Sequence, residues 1–98
     1  MRSDKVSHRE WIVAQIKADP ALAAEYLTAA AEDTDSRVYL IALRNVAEAR
    51  GMAKVARAAG LPRESLYRAL SAKGNPRWDT LSAILRATGL TLTVKAPA

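Results

Sequence analysis

The chain of 98 residues is long enough for one compact domain with a single core, and half of its residues are hydrophobic. It contains no cysteine, which excludes disulfides, thiolate metal sites and cysteine nucleophiles. The net charge of +5 is unevenly placed: residues 18–36 carry five acids and no Lys or Arg, whereas residues 51–98 carry eight basic residues and two acids. The acidic segment suits a basic partner, and the basic half suits a polyanion.

Two short helices are predicted at the N-terminus. Ser7 followed by Glu10 is a capping-box pattern that opens the first helix. Asp19 followed by Pro20 predicts the start of the second, with the proline at the first helical position. Their apolar faces either belong to the core or dock into a groove of a partner protein. The residues of these faces are Trp11, Ile12, Ile16, Leu22, Ala23, Tyr26, Leu27 and Ala30.

A third helix is predicted over residues 36–50, between the capping residue Asp35 and a stop at Gly51. It carries two apolar stripes, which predict burial on two sides. One side should face the motif that follows, and the other the N-terminal helices or a partner. The first stripe comprises Val38, Ile41, Ala42 and Val46, and the second Leu40, Leu43 and Ala47. Three arginines in this region, Arg37, Arg44 and Arg50, either contribute to binding a polyanion or pair with the upstream acids.

Residues 52–77 show the pattern of a helix-turn-helix, in which the second helix lies in a DNA groove. Gly60 supplies the positive φ that the turn requires, and Pro62 should occupy the first position of the second helix. A helical wheel separates two faces of that second helix. The inward set is Leu66, Ala69, Leu70 and Lys73, and the outward set is Glu64, Tyr67, Arg68 and Ser71, with Arg63 on the flank. The outward set can either contact bases and phosphates or form an ordinary solvated face.

The remaining chain predicts a turn at residues 74–77, a closing helix from Trp78 to Gly89, and a C-terminal strand. The closing helix carries apolar residues at helical spacing, namely Trp78, Leu81, Ile84, Leu85 and Thr88. Leu90, Leu92 and Val94 then alternate with polar residues, which is typical of a strand. A lone strand leaves backbone groups unpaired, so we expect it to pair antiparallel with the same strand of a second copy. The alternative is an extended tail that only packs on the core.

This order of elements resembles the Xre/Cro-type repressor domain. The stretches ALRNVAEARG at 42–51, AGLPRESLYRALS at 59–71, GNP at 74–76 and DTL at 79–81 more specifically resemble the HigA-type addiction-module antidote family. The resemblance covers roughly residues 19–95. It implies an all-α helix-turn-helix bundle with an N-terminal helical extension and one short C-terminal β-strand. Residues 1–35 would form the extension within the same compact domain, and residues 36–95 the DNA-binding domain with its dimerisation strand.

Such a resemblance implies an antitoxin of a type II toxin–antitoxin module. Its partners would be a RelE/ParE-fold toxin, typically a ribonuclease acting on mRNA at the ribosome, and double-stranded operator DNA with an inverted repeat. Arg63, Glu64 and Arg68 fall where repressors of this type read bases, and Met52, Lys54 and Ser71 fall near backbone-contacting positions. The full set assigned to DNA is Lys54, Arg63, Glu64, Ser65, Tyr67, Arg68, Ser71, Lys73, Asn75 and Arg77. Trp11, Ile12, Ile16 and Tyr26 are assigned to the toxin, and Leu90, Leu92 and Val94 to a homodimer.

The sequence does not favour an enzyme. His8 is the only histidine and lies near the N-terminus, and the chain shows neither a glycine-rich phosphate loop nor a set of metal ligands. We therefore expect no cofactor. No apolar run reaches membrane-spanning length and no signal peptide is visible, so a cytoplasmic protein is expected. Two alternatives remain open: a stand-alone repressor without a toxin, and an adaptor whose helix-turn-helix binds only protein.

Overall fold

The computed structural model describes residues 7–97, which form six α-helices and no β-strand. The helices, in chain order, are α1 (His8–Ala18), α2 (Leu22–Ala31), α3 (Ser36–Arg50), α4 (Met52–Ala59), α5 (Arg63–Ala69) and α6 (Trp78–Ala87). None of these helices combines the length and the apolar character that crossing a membrane requires. The predicted all-α fold is confirmed, and the predicted strand is wrong.

The helix boundaries follow from local capping signals. Ser7 and Glu10 form the predicted capping box, with the Ser7 side chain accepting from the Glu10 amide and the Glu10 side chain accepting from the Ser7 amide. Asp35 caps α3 by accepting from the Arg37 amide at 3.0 Å. Gly51, with φ of 102°, ends α3 as predicted. These three boundaries are set by residues close in sequence, which is why a sequence pattern indicates them.

Two predicted helix starts move by two residues and by one residue. Helix α2 begins at Leu22, because Asp19 and Pro20 form a tight turn in which the Leu22 amide donates to the Asp19 carbonyl at 3.0 Å. Pro62 precedes α5 as its N-cap instead of occupying the first helical position. Helix α5 is also shorter than expected and ends at Ala69. Lys73 therefore lies in the turn beyond the helix, where it is exposed, and its predicted inward orientation is wrong.

Helix α3 is the central element of the core. Helices α1 and α2 pack against one side of it and α4 against another, and α4 also packs on α5 and α6. The prediction of burial on two sides is thus confirmed, with Leu43 and Val46 fully buried. Ile41 departs from the predicted apolar stripe, since its side chain is 46% exposed. Trp78, the first of the apolar residues at helical spacing in α6, is 63% exposed.

The C-terminal segment after Gly89 forms neither helix nor strand and has no ladder partner among residues 7–97. Leu90 packs against the core, whereas Leu92 is 45% and Val94 95% exposed. The segment borders a groove of about 670 Å³ that is also lined by α2, Tyr39 and Leu85. A strand requires backbone hydrogen bonds to a second strand, and side-chain alternation alone does not supply them. Within residues 7–97 the segment therefore forms no strand, and only its first residue, Leu90, packs on the core.

Candidate nucleic-acid interface

The turn between α4 and α5 fixes the direction of the candidate recognition helix. Gly60 adopts the left-handed conformation, with φ of 72° and ψ of 31°. The Leu61 amide then donates to the Ala56 carbonyl at 2.9 Å. This hydrogen bond ends α4 in the pattern of a Schellman motif. Leu66 and Leu70 are fully buried and anchor α5 and its C-terminal cap on the core. The opposite face of α5 is consequently turned to solvent.

The exposed face of α5 carries the three side chains assigned to base reading. Arg63, Glu64 and Arg68 are all exposed, whereas Ser65 and Tyr67 are only partly so. Arginine can donate two parallel hydrogen bonds to guanine, and a carboxylate can accept from the amino group of cytosine. Helix α5 therefore presents both donor and acceptor groups on one accessible face.

The other residues assigned to DNA lie on α4 and in the segment after α5. Lys54 on α4 is exposed, and so are Lys73, Asn75 and Arg77 in the loop before α6. Ser71 is half-buried, and its hydroxyl donates to the Arg68 carbonyl at 3.0 Å, which closes the last turn of α5. Met52, in contrast, is only 6% exposed and belongs to the core rather than to a DNA-contacting surface.

Tyr67 is the one aromatic residue assigned to DNA, and it lies between two arginines. The guanidinium carbon of Arg44 is 5.5 Å from the centroid of its ring, and that of Arg63 is 5.8 Å from it. Both distances are within the range of a cation–π interaction. The Tyr67 ring is therefore half-buried and already in contact with two arginine side chains, which leaves it less free to contact a base. The sequence gives no direct sign of this, because Arg44 and Tyr67 lie in different helices.

A carboxylate from α3 completes the cluster. Arg44 Nε is 3.7 Å from Glu48 Oε1, one turn along the same helix. Arg9 on α1 donates through Nε to the same oxygen at 3.0 Å, and its Nη2 donates to both Glu48 oxygens. These hydrogen bonds to Glu48 raise the pKa of Arg9 above its ordinary value. Three guanidinium groups and one carboxylate thus meet beside α5, which leaves this surface positive.

The arginines of α3 therefore have different partners, and Arg37 alone pairs with an upstream acid. Its guanidinium donates to Asp35 through Nε and Nη2, the latter at 2.7 Å. These bonds hold the pKa of Asp35 at about 2. Arg44 pairs instead with Glu48 and Tyr67, next to the candidate interface.

The four residues assigned to a protein partner differ in accessibility. Trp11 is 52% exposed and stacks on His8, with ring centroids 6.1 Å apart. Ile12 is half-buried, and Ile16 is only 1% exposed, so Ile16 is a core residue and not a surface contact. Tyr26 is also half-buried and its hydroxyl accepts from Asn45 Nδ2 at 2.7 Å. Of this set, only Trp11 offers a large exposed apolar surface.

Residues 7–97 thus form an all-helical fold. Its two-helix motif, α4 and α5, carries basic residues, and the central helix α3 packs both on α4 and on the N-terminal helices α1 and α2. The chain belongs to the family described as "Probable addiction module antidote protein", whose model matches residues 9–96. This membership confirms the antidote family that the sequence resembles. The narrower HigA-type and Xre/Cro-type assignments stay predictions.

A curated relative covers most of the same chain. The sequence is 39% identical over 70 residues to an uncharacterised protein of Haemophilus influenzae, which spans 71% of this chain and 72% of that protein. No solved structure matches this chain.

Proposed function

We propose that this chain is the antitoxin of a type II toxin–antitoxin module, and that it represses its own operon by binding promoter DNA. The observation that carries the proposal is the exposed face of α5, with Arg63, Glu64 and Arg68, in a member of an antidote family. A helix held by a tight turn with such side chains outward is the arrangement that a helix-turn-helix uses in the major groove.

On DNA, α5 enters the major groove and the residues at its two ends contact phosphates. Lys54, Lys73 and Arg77 supply those phosphate contacts, which makes the affinity depend on salt. Two copies bind an inverted repeat with recognition helices about 34 Å apart, one turn of the duplex. The segment with Leu90, Leu92 and Val94 forms no strand within residues 7–97, so we do not propose strand pairing between the two copies.

Neutralisation requires a surface outside the DNA face, and we place it in residues 8–35. Trp11 supplies an exposed aromatic anchor there. Asp19, Glu25, Glu32 and Asp33 are all exposed in the same segment, which carries no Lys or Arg after Lys17. An exposed tryptophan and exposed acids within one segment suit a basic protein such as the RelE/ParE-fold toxin proposed as the partner.

Two measurements test the two halves of the proposal. Co-expression with the neighbouring gene tests neutralisation: the wild type should restore growth, and Trp11→Ala should restore it less. A matched control is Trp78→Ala, which removes another exposed tryptophan from the other end of the chain. Footprinting on the DNA upstream of the gene tests repression and should reveal a protected inverted repeat. Protection without rescue would indicate a stand-alone repressor, and rescue without protection an adaptor that binds only protein.

A further inference from the structure

The arginine cluster beside α5 links three helices through consecutive side-chain contacts. Arg9 on α1 donates hydrogen bonds to the Glu48 carboxylate, and Glu48 lies beside Arg44 on α3. Arg44 then stacks on Tyr67 of α5, whose ring also carries Arg63. The chain of contacts thus begins on the N-terminal helix and ends at a side chain assigned to base reading.

Each contact restricts a side chain that is flexible when it is free. Arginine loses rotamer entropy when it is fixed, and a guanidinium that is already held against a ring loses less when it meets its target. Arg63 is exposed, so the Tyr67 ring is the contact that limits its movement on the protein side. Tyr67 is in turn held by Arg44, because a ring packed against a fixed guanidinium has fewer accessible orientations.

Glu48 faces Arg44 as an ion pair at 3.7 Å, without a hydrogen bond between the two side chains. Its side chain is 24% exposed and makes the shared contact to both Arg9 and Arg44. Charge-assisted bonds from a guanidinium to both oxygens of one carboxylate are directional, so Arg9 sets the plane of that carboxylate. Its charge attracts Arg44, whose guanidinium lies over the Tyr67 ring.

We propose that Arg9, Glu48 and Arg44 are positioning residues for DNA recognition, acting through Tyr67 on Arg63. The inference rests on the proposed function because it requires Arg63 to contact DNA. It adds a positioning role for Arg9 on α1 and for the acidic residue Glu48. The ligand that the positioned group meets is a base edge or a phosphate of duplex DNA, both of which suit a planar guanidinium.

Glu48→Gln tests the proposal because the two explanations predict opposite changes in DNA affinity: a positioning role predicts weaker binding, and a purely electrostatic role predicts tighter binding. Removing a negative charge near a polyanion strengthens binding if the charge acts only through the field. Positioning predicts instead that Glu48→Gln weakens binding to the gene's own upstream DNA by about threefold to tenfold, the size of a contact of this kind. Affinity for shuffled DNA should not fall. Glu25→Gln, which removes the same charge from the exposed face of α2, is the matched control and should not weaken binding.

A second comparison separates positioning from a direct contact between Arg44 and DNA. If Arg44 acts through Arg63, Arg44→Ala weakens specific binding in the wild type but has little further effect in an Arg63→Ala background. Independent contacts would give additive losses and would overturn the proposal. Arg44→Lys keeps the charge but lacks the planar group, so it should behave like Arg44→Ala.

The free protein offers a readout that does not depend on DNA. The Arg63 guanidinium carbon lies over the Tyr67 ring at 5.8 Å from its centroid, so the proton NMR signal of the guanidinium Nε–H should be displaced by the ring current. In folded Glu48→Gln and Arg9→Lys, that signal should move toward the value found in Tyr67→Leu. A wild type that binds no DNA would refute the proposed function, while this NMR comparison would still decide the positioning. An Arg63 signal unchanged in Glu48→Gln, or tighter specific DNA binding by that variant, would overturn the inference.

Discussion

The side-chain amide of Asn45 donates a hydrogen bond to the hydroxyl of Tyr26 at 2.7 Å, and it joins α3 to α2 inside the core. Asn45 is 3% exposed, so its amide group has little access to water. A buried donor needs a partner, and Tyr26 supplies it. The contact explains why a polar residue is placed among the apolar residues of α3, and it gives Tyr26 a structural role.

Replacing Tyr26 with Phe removes the acceptor and leaves the Asn45 amide unsatisfied. We expect a loss of about 1–3 kcal/mol in the free energy of unfolding, measured by urea denaturation. Tyr39→Phe is the control, since it deletes a hydroxyl from another half-buried tyrosine and should cost less. Equal losses for the two variants would show that the bond to Asn45 does not stabilise the fold. Toxin rescue by folded Tyr26→Phe would show in addition that the hydroxyl is not needed for neutralisation.

The lowered pKa of Asp35 should make the stability of the fold depend on pH in the acidic range. The Arg37 side chain and backbone lower the pKa of Asp35 from 3.8 to about 2 in the folded protein. A folded pKa below the unfolded one contributes stability above about pH 3.8, and that contribution is lost as pH falls toward 2. Wild type should therefore lose stability across this range more steeply than Asp35→Asn, which keeps a capping side chain without the charge. Thermal melts at pH 5, 3 and 2 measure the difference, and parallel curves for the two proteins would contradict it.

Gly74, in the turn after α5, has no space for a side chain. A Cβ at this position would lie 2.4 Å from the Ala69 carbonyl oxygen and 3.0 Å from that of Arg68, so the backbone of the turn would have to move. We expect Gly74→Ala to cost about 2 kcal/mol or more in unfolding free energy. Gly89→Ala is the comparison: its Cβ would meet nothing within 4 Å, and only the strain of φ at 87° remains, about 1 kcal/mol. A smaller loss for Gly74→Ala than for Gly89→Ala would contradict this account of the turn.

Arg68 on the exposed face of α5 predicts a change in sequence preference. Arg68→Ala should cost about 1–3 kcal/mol on the native operator and much less on an operator altered at the contacted base pair. Binding titrations against a set of single-base operator variants measure this. Arg86→Ala, which removes a positive charge at the end of α6, should weaken binding to all sequences similarly if it has any effect. A uniform loss for Arg68→Ala would identify it as a phosphate contact.

The helix order and most helix ends could be predicted because their signals are local. Ser7 with Glu10, Asp35, Gly51 and Gly60 each act on backbone groups within a few residues, and all behave as predicted. The inward direction predicted for Lys73 is wrong because α5 ends at Ala69, before it reaches this residue. A periodic pattern gives the direction of a side chain only while the helix lasts.

The features that could not be predicted from the sequence depend on contacts between residues far apart in the chain. Ile41 and Trp78 fit an apolar stripe, yet whether a neighbouring helix covers them depends on how the helices pack. The pairs Arg9–Glu48 and Arg44–Tyr67 join residues 39 and 23 positions apart, and neither pair leaves a spacing pattern. The C-terminal alternation was misleading for the same reason, since a strand needs a partner that lies elsewhere.

The most direct test of the central claim is the affinity of the full chain for the DNA upstream of its own gene. Fluorescence titrations should compare that DNA with a shuffled duplex of the same length and composition, at two salt concentrations. The account predicts that the native sequence binds about a thousandfold or more tightly than the shuffled one, and that both affinities fall as salt rises. Equal affinity for the two duplexes at both salt concentrations would contradict it.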